Sequence, residues 1–313
     1  MSLILADARQ IPLRDGCVQC VVTSPPYFGL RDYGTANQIG LEPTPDAFVA
    51  ALVAVFREVR RVLADDGVCW LNLGDSYAAS SKGSGGMNSK QPTNIGSFAE
   101  WSGDCGVAPK NLLGIPWRVA FALQADGWYL RQDIIWSKPN PMPESVTDRC
   151  TKAHEYVFLM SRSARYFCDM DAIAEPFAHP EMQQEAKNRK ASGALKTGAY
   201  MEGSGRNDGA SYTGGVGFAS CSDTRNKRSV WTIATKPYSE AHFATMPEKL
   251  VEPCILAGSR LGDRVFDPFI GSGTVGAVAE RLGRRWVGTD LNPKYHALAR
   301  KRTAQRGLRF EVA

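Results

Sequence analysis

The sequence predicts an α/β fold in which helices cover both faces of a doubly wound, mostly parallel sheet. Short β-branched or apolar runs alternate with longer stretches whose apolar residues recur every three to four positions. Glycine, proline and other turn residues separate the two kinds of segment. Such alternation is typical of parallel sheets, because two neighbouring parallel strands need a crossover connection.

Composition and charge restrict the class of protein. The chain has 313 residues, of which 43% are hydrophobic and 22% charged, a balance typical of globular proteins. The net charge of +5 permits an anionic partner without requiring one. No apolar run is long enough to span a membrane, and the N-terminus becomes acidic too soon for a secretory signal. We therefore expect a cytoplasmic protein with reduced cysteines.

One close cysteine pair, Cys17 and Cys20, raises the question of a metal site. Neither a second pair nor histidines at matching spacing accompany it. Both cysteines lead into an apolar run, so we expect buried strand residues and no metal.

The first part of the chain predicts three strands and one helix. Strands are expected at Leu3–Leu5, Val18–Thr23 and Val68–Leu73. The helix begins after Thr44, which can cap it, and Gly67 can end it. Its apolar residues recur at helical spacing: Phe48, Leu52, Val55, Phe56, Val59 and Leu63.

A long loop and three further elements follow. Residues 76–111 are rich in serine, glycine and asparagine and have no apolar period, so they are predicted to form a loop. A helix over Pro116–Ala125 and a strand over Trp128–Trp136 come next. Glu155–Ser161 and Arg165–Cys168 are expected to form a hairpin.

A second irregular tract, residues 179–230, precedes the last elements. Thr245 and Glu248 have the spacing of a capping box, which would open a helix that ends at Gly258. The alternation then resumes with a strand, a helix, a strand and a helix, predicted at Arg264–Asp267, Thr274–Leu282, Trp286–Asp290 and Pro293–Arg306.

The segment Asp267–Thr274 indicates a nucleoside ligand. Its glycines lie between a strand and a helix, where they allow a tight turn and close approach of a ligand. Asp290 ends the next strand, where an acidic residue can accept hydrogen bonds from ribose hydroxyls. The loop lacks both the G-x-G-x-x-G spacing and a following lysine, so a sulfonium cofactor without phosphate fits it.

The segment Ser24-Pro25-Pro26-Tyr27 follows another strand end, at the edge where α/β sheets bind ligands. The exocyclic amine of cytosine or adenine is a poor nucleophile, because its lone pair is conjugated with the ring. The Ser24 hydroxyl and the Pro25 carbonyl can accept the hydrogens of such an amine, and the prolines hold that carbonyl rigidly. Tyr27 offers an aromatic face on which an extruded base can stack.

Together these segments resemble the amino-methylating class of DNA methyltransferases, which use S-adenosylmethionine. Ser24–Tyr27 looks like the catalytic motif, Asp267–Thr274 like the cofactor motif and Asp290 like the ribose-binding acid. The catalytic motif comes first, as in the permuted β group of that family. The resemblance covers most of residues 3–175 and 231–306, and it implies a seven-stranded, Rossmann-like methyltransferase sheet.

The resemblance also implies roles for individual residues. The catalytic residues would be Ser24, Pro25, Pro26 and Tyr27. The cofactor-binding residues would be Asp7, His242, Phe243, Pro247, Asp267, Phe269, Gly271, Gly273, Thr274, Asp290 and Asn292. Asp7 would lie near the cofactor's adenine, and His242–Pro247 near its methionine end. In a permuted chain, Arg309–Val312 and Leu3–Asp7 are expected to form parts of one strand region, with neighbouring termini.

The expected organisation has three parts. Residues 1–175 form the catalytic half of the methyltransferase domain and residues 233–313 the cofactor-binding half. Residues 176–232 lie where the family carries its target recognition region, and they hold more basic than acidic side chains. The residues expected to bind DNA are Lys187, Arg189, Lys190, Arg206, Arg225, Lys227 and Arg228. The loop at 76–111 is a second segment that we consider for closure over DNA.

The predicted function is site-specific transfer of a methyl group to the exocyclic amine of a base flipped out of double-stranded DNA. Serine in the first position of the catalytic motif is more typical of cytosine N4 enzymes, so N4-cytosine is favoured over N6-adenine. The resemblance implies a bacterial or phage-encoded enzyme, and a homodimer and a cognate restriction endonuclease are the further partners that we consider.

Two other functions remain open at this point. One is an RNA or protein amino-methyltransferase, although those relatives usually have asparagine before the two prolines and the cofactor loop first. The other is a catalytically silent DNA-binding module of the same fold. Cys254 is not expected to act as the nucleophile of a ring-carbon methyltransferase, because it lies within a predicted helix beside apolar residues.

Overall fold

The computed structural model describes residues 2–78, 105–176, 224–236 and 245–304. The strands within these ranges are β1 (Ser2–Leu5), β2 (Val18–Thr23), β3 (Leu63–Leu73), β4 (Tyr129–Ser137), β5 (His154–Ser161), β6 (Glu175–Pro176), β7 (Thr224–Arg225), β8 (Val230–Thr232), β9 (Arg264–Asp267) and β10 (Arg285–Asp290). The α-helices within them are α1 (Pro45–Val62), α2 (Ile115–Ala125), α3 (Glu248–Gly258), α4 (Thr274–Arg281) and α5 (Pro293–Ala304).

The main sheet has the strand order β1-β10-β9-β2-β3-β5-β4-β8. Only the two pairings of β5, with β3 and with β4, are antiparallel, so the predicted mostly parallel sheet is confirmed. The described part of this sheet has eight strands, where the family resemblance implied seven. The three-residue β8, which lies parallel to β4, is the edge strand at that end.

Helices cover both faces of the sheet. Val21 of β2 belongs to the same buried cluster as Phe48 of α1. The Sγ of its neighbour Cys20 lies 3.8 Å from the backbone oxygen of Cys254 in α3. Because successive strand residues point to opposite faces, α1 and α3 cover opposite sides of β2. Cys20 is the buried strand residue expected, whereas Cys17 precedes β2 and is half-buried.

Parallel pairing brings several chain segments to one edge of the sheet. The carboxyl ends of β2, β3, β4, β9 and β10 all lie at this edge, and the antiparallel β5 begins there. The first residues beyond these ends include Ser24, Gly74 and Lys138. This is the edge at which open α/β sheets bind their ligands.

Helix α1 begins as predicted and ends earlier. The Thr44 hydroxyl accepts a hydrogen bond from the Ala47 backbone N–H at 3.2 Å and caps the first turn. The helix ends at Val62, so the prediction that it ends at Gly67 was wrong. Leu63 already pairs with Val18 of β2, because β3 extends five residues further toward the N-terminus than the predicted strand.

Two other local predictions were wrong. Pro247, rather than Thr245, is the N-cap of α3, and its backbone oxygen accepts the N–H of Leu250 at 2.9 Å, so no capping box forms. Arg165–Cys168 does not pair with β5, which lies between β3 and β4 instead. The N–H of Phe167 bonds to the backbone oxygen of Asp66 at 2.8 Å, which holds this segment near the start of β3.

The chain divides into two compact units. The larger comprises residues 1–172 and 228–313, and the smaller residues 173–227. Within the smaller unit, the short strands β6 and β7 pair in antiparallel fashion. Residues 228–232, which we expected in the recognition region, belong to the larger unit, where β8 pairs with β4.

The permuted termini are described in part. Leu3–Leu5 pairs with Gly288–Asp290 in β10, and α5 packs near β1. Arg309–Val312, expected to extend the same strand region, lies outside the described residues. Within the described ranges, no helix is both long and apolar enough to cross a membrane.

Candidate active site

A hydrogen bond joins the two strands that lead into the catalytic and cofactor segments. The Thr23 hydroxyl, at the end of β2, donates to Oδ1 of Asp267, at the end of β9, over 2.7 Å. The strands pair in parallel, with Val21 opposite Phe266. The Ser24–Tyr27 segment and the glycine loop therefore leave the sheet from adjacent strand ends.

Asp267 is a buried carboxyl, 2% exposed. Its Oδ1 also accepts the backbone N–H of Phe269 at 3.0 Å, which fixes the first turn of the glycine loop. Burial raises the pKa of this carboxyl to about 7, because the surroundings disfavour its charged form, and the two hydrogen bonds offset only part of that effect.

The glycine loop is packed against α5. Gly273 has φ of +83°, and a Cβ at this position would lie 2.8 Å from the Cα of Ala299, so only glycine fits. The Arg302 guanidinium donates to the hydroxyls of Ser272 and Thr274 at 3.1 and 2.8 Å. The Thr274 side chain is thus bound to α5.

Asp290 holds the same loop from the end of β10. Its two oxygens accept the backbone N–H groups of Gly271 at 3.0 Å and Asn292 at 2.8 Å. Burial raises its pKa. Each carboxylate oxygen can accept a second hydrogen bond, so ribose hydroxyls can still bind. The Asn292 side-chain oxygen accepts the N–H of Lys294 and caps α5.

Asp7 lies at the same edge, just after β1. The N–H of its neighbour Ala6 donates to the backbone oxygen of Asp290 at 3.2 Å. The Asp7 carboxylate forms a 2.6 Å ion pair with Arg9, which lowers its pKa. The Arg9 guanidinium also donates to the backbone oxygen of Asn37, so it links β1 to the loop that follows the catalytic segment.

Tyr27 takes part in a network of hydrogen bonds between the segment after β2 and residues of β3 and β5. Its phenol donates to Oε2 of Glu155, on β5, at 2.6 Å. The Ser24 hydroxyl donates to the Tyr27 oxygen at 3.4 Å. The Asn72 amide, on β3, donates to the same Glu155 oxygen at 3.0 Å. Burial, followed by the neighbouring Glu155, raises the pKa of Tyr27 well above its usual value, so the phenol keeps its proton.

Two lysines accompany Glu155. Lys138, just after β4, forms an ion pair with the other Glu155 oxygen, and both side chains are largely buried. Its ammonium lies 4.4 Å from the centre of the Trp136 ring, a cation–π contact. The Lys152 amine is buried and has no hydrogen-bond partner among the described residues. Burial lowers the pKa of Lys152.

The Tyr27 ring lies against the backbone that leaves β3. A Cβ at Gly74 would approach Cε2 of Tyr27 to 2.6 Å, so the absence of a side chain at Gly74 makes room for the ring. The phenol bond to Glu155 and this contact together fix the ring from two directions.

The structure brings most of the predicted site residues to one edge. Those that lie on or directly after its strand ends are Asp7, Ser24, Pro25, Pro26, Tyr27, Asp267, Phe269, Gly271, Gly273, Thr274, Asp290 and Asn292. Pro247 is buried at the start of α3. His242 and Phe243 lie outside the described residues.

Few of the residues expected to bind DNA are described. Lys187, Arg189, Lys190 and Arg206 lie outside the described ranges. In the smaller unit, Arg225 pairs with Glu175 at 3.2 Å between β7 and β6. Lys227 is partly exposed, and Arg228, in the larger unit, is exposed.

Sequence reasoning missed Asn72, Lys138 and Glu155. Each is a polar residue at the end of a strand that reaches the ligand-binding edge. A polar residue at the end of an apolar strand marks the ligand-binding edge in the same way as the motif residues do. The sequence therefore contained a signal for these three residues. In the sequence, Lys138 stands directly before a proline-rich stretch and Glu155 begins a segment predicted as half of a hairpin, so neither position stands out.

Comparison with known proteins defines the family. Residues 18–301 match the N6/N4 methyltransferase family described as DNA methylase. The chain belongs to this DNA methylase family. The methylase is 44% identical to the Type II methyltransferase M.Cfr9I of Citrobacter freundii, over 94% of this chain and 83% of that protein. It is 42% identical to the Type II methyltransferase M.SmaI of Serratia marcescens, over 97% and 91% of the two chains.

Solved structures share the fold. TTHA0409 of Thermus thermophilus, solved in complex with S-adenosyl-L-methionine, matches with a TM-score of 0.58 and 22% identity, over 97% of this chain and 93% of that chain. PvuII DNA methyltransferase, which is cytosine-N4-specific, matches with a TM-score of 0.62 and 18% identity, over 96% and 85% of the two chains. The predicted α/β methyltransferase fold is confirmed.

The methylase is a DNA methyltransferase that uses S-adenosylmethionine, as the resemblance implied. The groups at the edge fit this cofactor. The carboxylates of Asp267 and Asp290 flank a loop whose residues 267–274 include neither lysine nor arginine, which suits a cationic sulfonium and ribose hydroxyls better than phosphate.

Proposed function

We propose that this methylase transfers the methyl group to the exocyclic amine of a base flipped out of duplex DNA at a specific sequence, with N4 of cytosine favoured over N6 of adenine. The observation that carries the proposal is the 2.7 Å bond between Thr23 and Asp267. It supports a site in which the catalytic and cofactor segments act on one another across adjacent strand ends.

The catalytic segment would act on the amine. Ser24 and the Pro25 carbonyl accept its two hydrogens, which favours a tetrahedral nitrogen with its lone pair free to react. The two prolines restrict the backbone, so these acceptors are arranged before the base arrives. When bound by the glycine loop and Asp290, S-adenosylmethionine supplies an electrophilic methyl group. No covalent bond to the protein and no metal ion is needed for such a direct transfer.

Tyr27 would hold the extruded base. Extrusion costs a few kcal/mol, which contacts in the pocket must return. The contacts of Tyr27 with Glu155 and Gly74 restrict the ring before the base arrives, and this lowers the entropy cost of stacking.

The choice of cytosine rests on Ser24. Its hydroxyl occupies the first position of the catalytic motif, where the resemblance associates serine with cytosine N4 enzymes. Nucleoside analysis by mass spectrometry after the methylase has acted on unmethylated bacteriophage DNA tests this choice. N4-methylcytosine is expected, and N6-methyladenine would reverse the choice.

A second experiment separates the proposed function from the other two functions left open by the sequence. Incubation of the methylase with methyl-labelled cofactor and either duplex DNA, RNA or protein is expected to label the DNA. Label in RNA or protein alone, or in none of the three, would contradict the proposal.

Recognition of the target sequence is assigned to residues 176–232. Phosphate contacts from Lys187, Arg189, Lys190, Arg206, Arg225, Lys227 and Arg228 would supply affinity, and arginine contacts to base edges would supply sequence choice. Within this set, Arg225 would have to exchange its bond to Glu175 for a phosphate or a base edge.

We also propose that the methylase protects DNA against a cognate restriction endonuclease. The names of M.Cfr9I, M.XycI and M.SmaI as Type II methyltransferases support this role. Methylation of plasmid DNA in cells that express the methylase, followed by digestion with a panel of endonucleases, would identify the protected sequence. Resistance to none of them would weaken the proposal. Sedimentation of the purified chain tests whether it is a homodimer.

A further inference from the structure

The hydrogen bonds around Tyr27 have a direction. The Glu155 carboxylate accepts hydrogen bonds and donates none, and its other oxygen is ion-paired with Lys138. The 2.6 Å bond from the phenol to this carboxylate is charge-assisted and much shorter than the 3.3 Å contact between the phenol and Asn72 Oδ1. The single phenol proton therefore lies toward Glu155.

This direction determines what Ser24 can offer. Because the phenol proton is engaged, the Tyr27 oxygen is an acceptor for the Ser24 hydroxyl, which lies 3.4 Å away. Ser24 thus directs its proton to Tyr27 and leaves its own lone pairs free. An exocyclic amine brings hydrogens, so free lone pairs at Ser24 are what it needs.

We propose that Glu155 is a positioning residue: its carboxylate sets the direction of the chain Ser24 to Tyr27 to Glu155, and thereby makes the Ser24 oxygen an acceptor for the amine of the target base. This inference rests on the proposed roles of Ser24 and Tyr27. Glu155 itself need not touch the base. Asn72 supports it, because its amide donates to the same carboxylate oxygen and to the backbone oxygen of Tyr156, which fixes the orientation of the amide.

The variant Glu155→Gln tests the direction of these hydrogen bonds, because glutamine has nearly the same shape as glutamate but can donate as well as accept. A glutamine beside the Lys138 ammonium turns its oxygen toward that ammonium. Its NH2 group then faces both Tyr27 and the Asn72 amide, so Asn72 also loses its acceptor at this position. The NH2 group then donates to the phenol oxygen, the phenol proton turns away, and Ser24 loses its acceptor. Turnover at saturating DNA and cofactor is expected to fall by about tenfold or more, with the cofactor dissociation constant unchanged.

The double variant Lys138→Gln with Glu155→Gln should restore the direction of the hydrogen bonds from Ser24 through Tyr27 to the side chain at position 155. The glutamine introduced at position 138 can accept the NH2 group of the one at position 155, whose oxygen then again faces Tyr27, although no charge remains. Most of the lost turnover is expected to return. Lys138→Gln alone keeps the carboxylate as the acceptor of the phenol proton, so turnover is expected to fall less than in Glu155→Gln, although loss of the buried ion pair should lower the thermal midpoint.

A matched control removes a similar ion pair away from Tyr27. Glu144 pairs with Arg149 in the segment between β4 and β5, where the two side chains are 29% and 28% exposed, against 13% for Glu155 and 17% for Lys138. Glu144→Gln should leave turnover unchanged. An E155Q enzyme as fast as E144Q, or a double variant no faster than E155Q, would overturn the inference.

Tyr27→Phe completes the test. If Glu155 acts through the phenol, Tyr27→Phe and Glu155→Gln together should cost no more than the slower of the two alone. Fully additive losses would contradict the inference. A wild-type enzyme that leaves no methylated amine in DNA would contradict the proposed function and this inference together, whereas an active wild type with an equally active E155Q overturns the inference alone.

Discussion

At the residue scale, several polar groups of the site are buried and hydrogen-bonded to one another. Thr23 is fully buried and donates to Asp267, and Asn72, 2% exposed, donates to Glu155. An unsatisfied buried polar group costs about 1–3 kcal/mol, so each partner stabilises the other in one geometry. The motif residues are thereby held in place before any ligand binds.

Ser24→Ala removes one acceptor for the amine. We expect turnover at saturating substrates to fall by about a hundredfold, by comparison with the loss of one preorganised hydrogen-bonding group in other enzymes. Cofactor affinity, measured by calorimetry, should stay the same. An equal loss of turnover and cofactor affinity would contradict the role assigned to Ser24.

Tyr27→Ala removes the stacking face. Base–aromatic stacking is worth about 1–3 kcal/mol, so turnover or DNA affinity should fall accordingly, while cofactor binding is retained. Phe28→Ala serves as a contrast, because Phe28 is buried against Phe48 at a ring distance of 5.5 Å and should affect stability instead. The thermal midpoint and the methylation rate separate the two effects.

Asp290→Ala should weaken cofactor binding more than it lowers turnover, the opposite of what is expected for Ser24→Ala. Loss of the carboxylate releases the backbone N–H groups of Gly271 and Asn292 and removes the acceptor proposed for ribose. Cofactor affinity is expected to fall by about tenfold or more, with a smaller change of turnover at saturating cofactor. Retained affinity in a titration would show that Asp290 does not contact the cofactor.

The pKa of Asp267 predicts a dependence of stability on pH. Because its pKa rises from 3.8 to about 7 on folding, the native state binds more protons than the unfolded state between these values. This group's contribution to the free energy of unfolding is therefore largest in acid and falls as pH rises from about 4 to about 7. Asp267→Asn, which keeps an acceptor for Thr23, should flatten that part of the profile in chemical denaturation. An unchanged slope would contradict the raised pKa.

At the scale of elements, the glycine loop depends on its packing against α5. The loop is fixed by Asp290 at its start, by Arg302 near its end and by the close contact of Gly273 with Ala299. Cofactor binding and the position of α5 should therefore be linked.

Gly273→Ala tests this link. A Cβ there would meet the α5 backbone, so we expect a loss of about 1–3 kcal/mol from the clash, in addition to about 1 kcal/mol or more from the positive φ. Gly262→Ala is the matched control, because Gly262 has φ of +79° and nothing within 4 Å of a Cβ. Gly273→Ala should lose more stability, measured as the thermal midpoint, and more cofactor affinity, measured by titration, than Gly262→Ala. Equal losses would show that the contact with α5 does not fix the loop.

At the scale of the whole molecule, we propose that catalysis and target recognition belong to different segments of the chain. The larger unit holds all the strand ends that form the site, and the smaller unit, residues 173–227, includes most of the basic residues expected to meet DNA. Substitutions in the larger unit should therefore affect turnover, and substitutions in the smaller unit should affect DNA binding.

Simultaneous replacement of Lys187, Arg189 and Lys190 by alanine tests this division. For every phosphate interaction that the replacement removes, the slope of log K against log salt for DNA binding should become shallower by about 0.9. Turnover at saturating DNA should change little. An unchanged slope in equilibrium binding would show that these residues do not contact phosphate.

The resemblance of the two motif segments to a known family implied the cofactor, and the sequence by itself determined the fold class and those segments. These depend on local periodicity, and on residue types such as paired prolines and glycines whose backbone preferences act within a few positions. The same local reasoning failed at Gly67 and at Arg165–Cys168, because in both cases a distant partner decided the outcome. At the capping box it failed locally, because Pro247 and not Thr245 is the N-cap.

Only the tertiary structure decided which polar side chains meet. Thr23 and Asp267 are 244 residues apart in the chain, and Tyr27 and Glu155 are 128 apart. Their contacts follow from strand order and register, which are set by the burial of entire sheet faces and are not encoded in any one segment. The sheet places Asn72, Lys138 and Glu155 beside Tyr27 for the same reason.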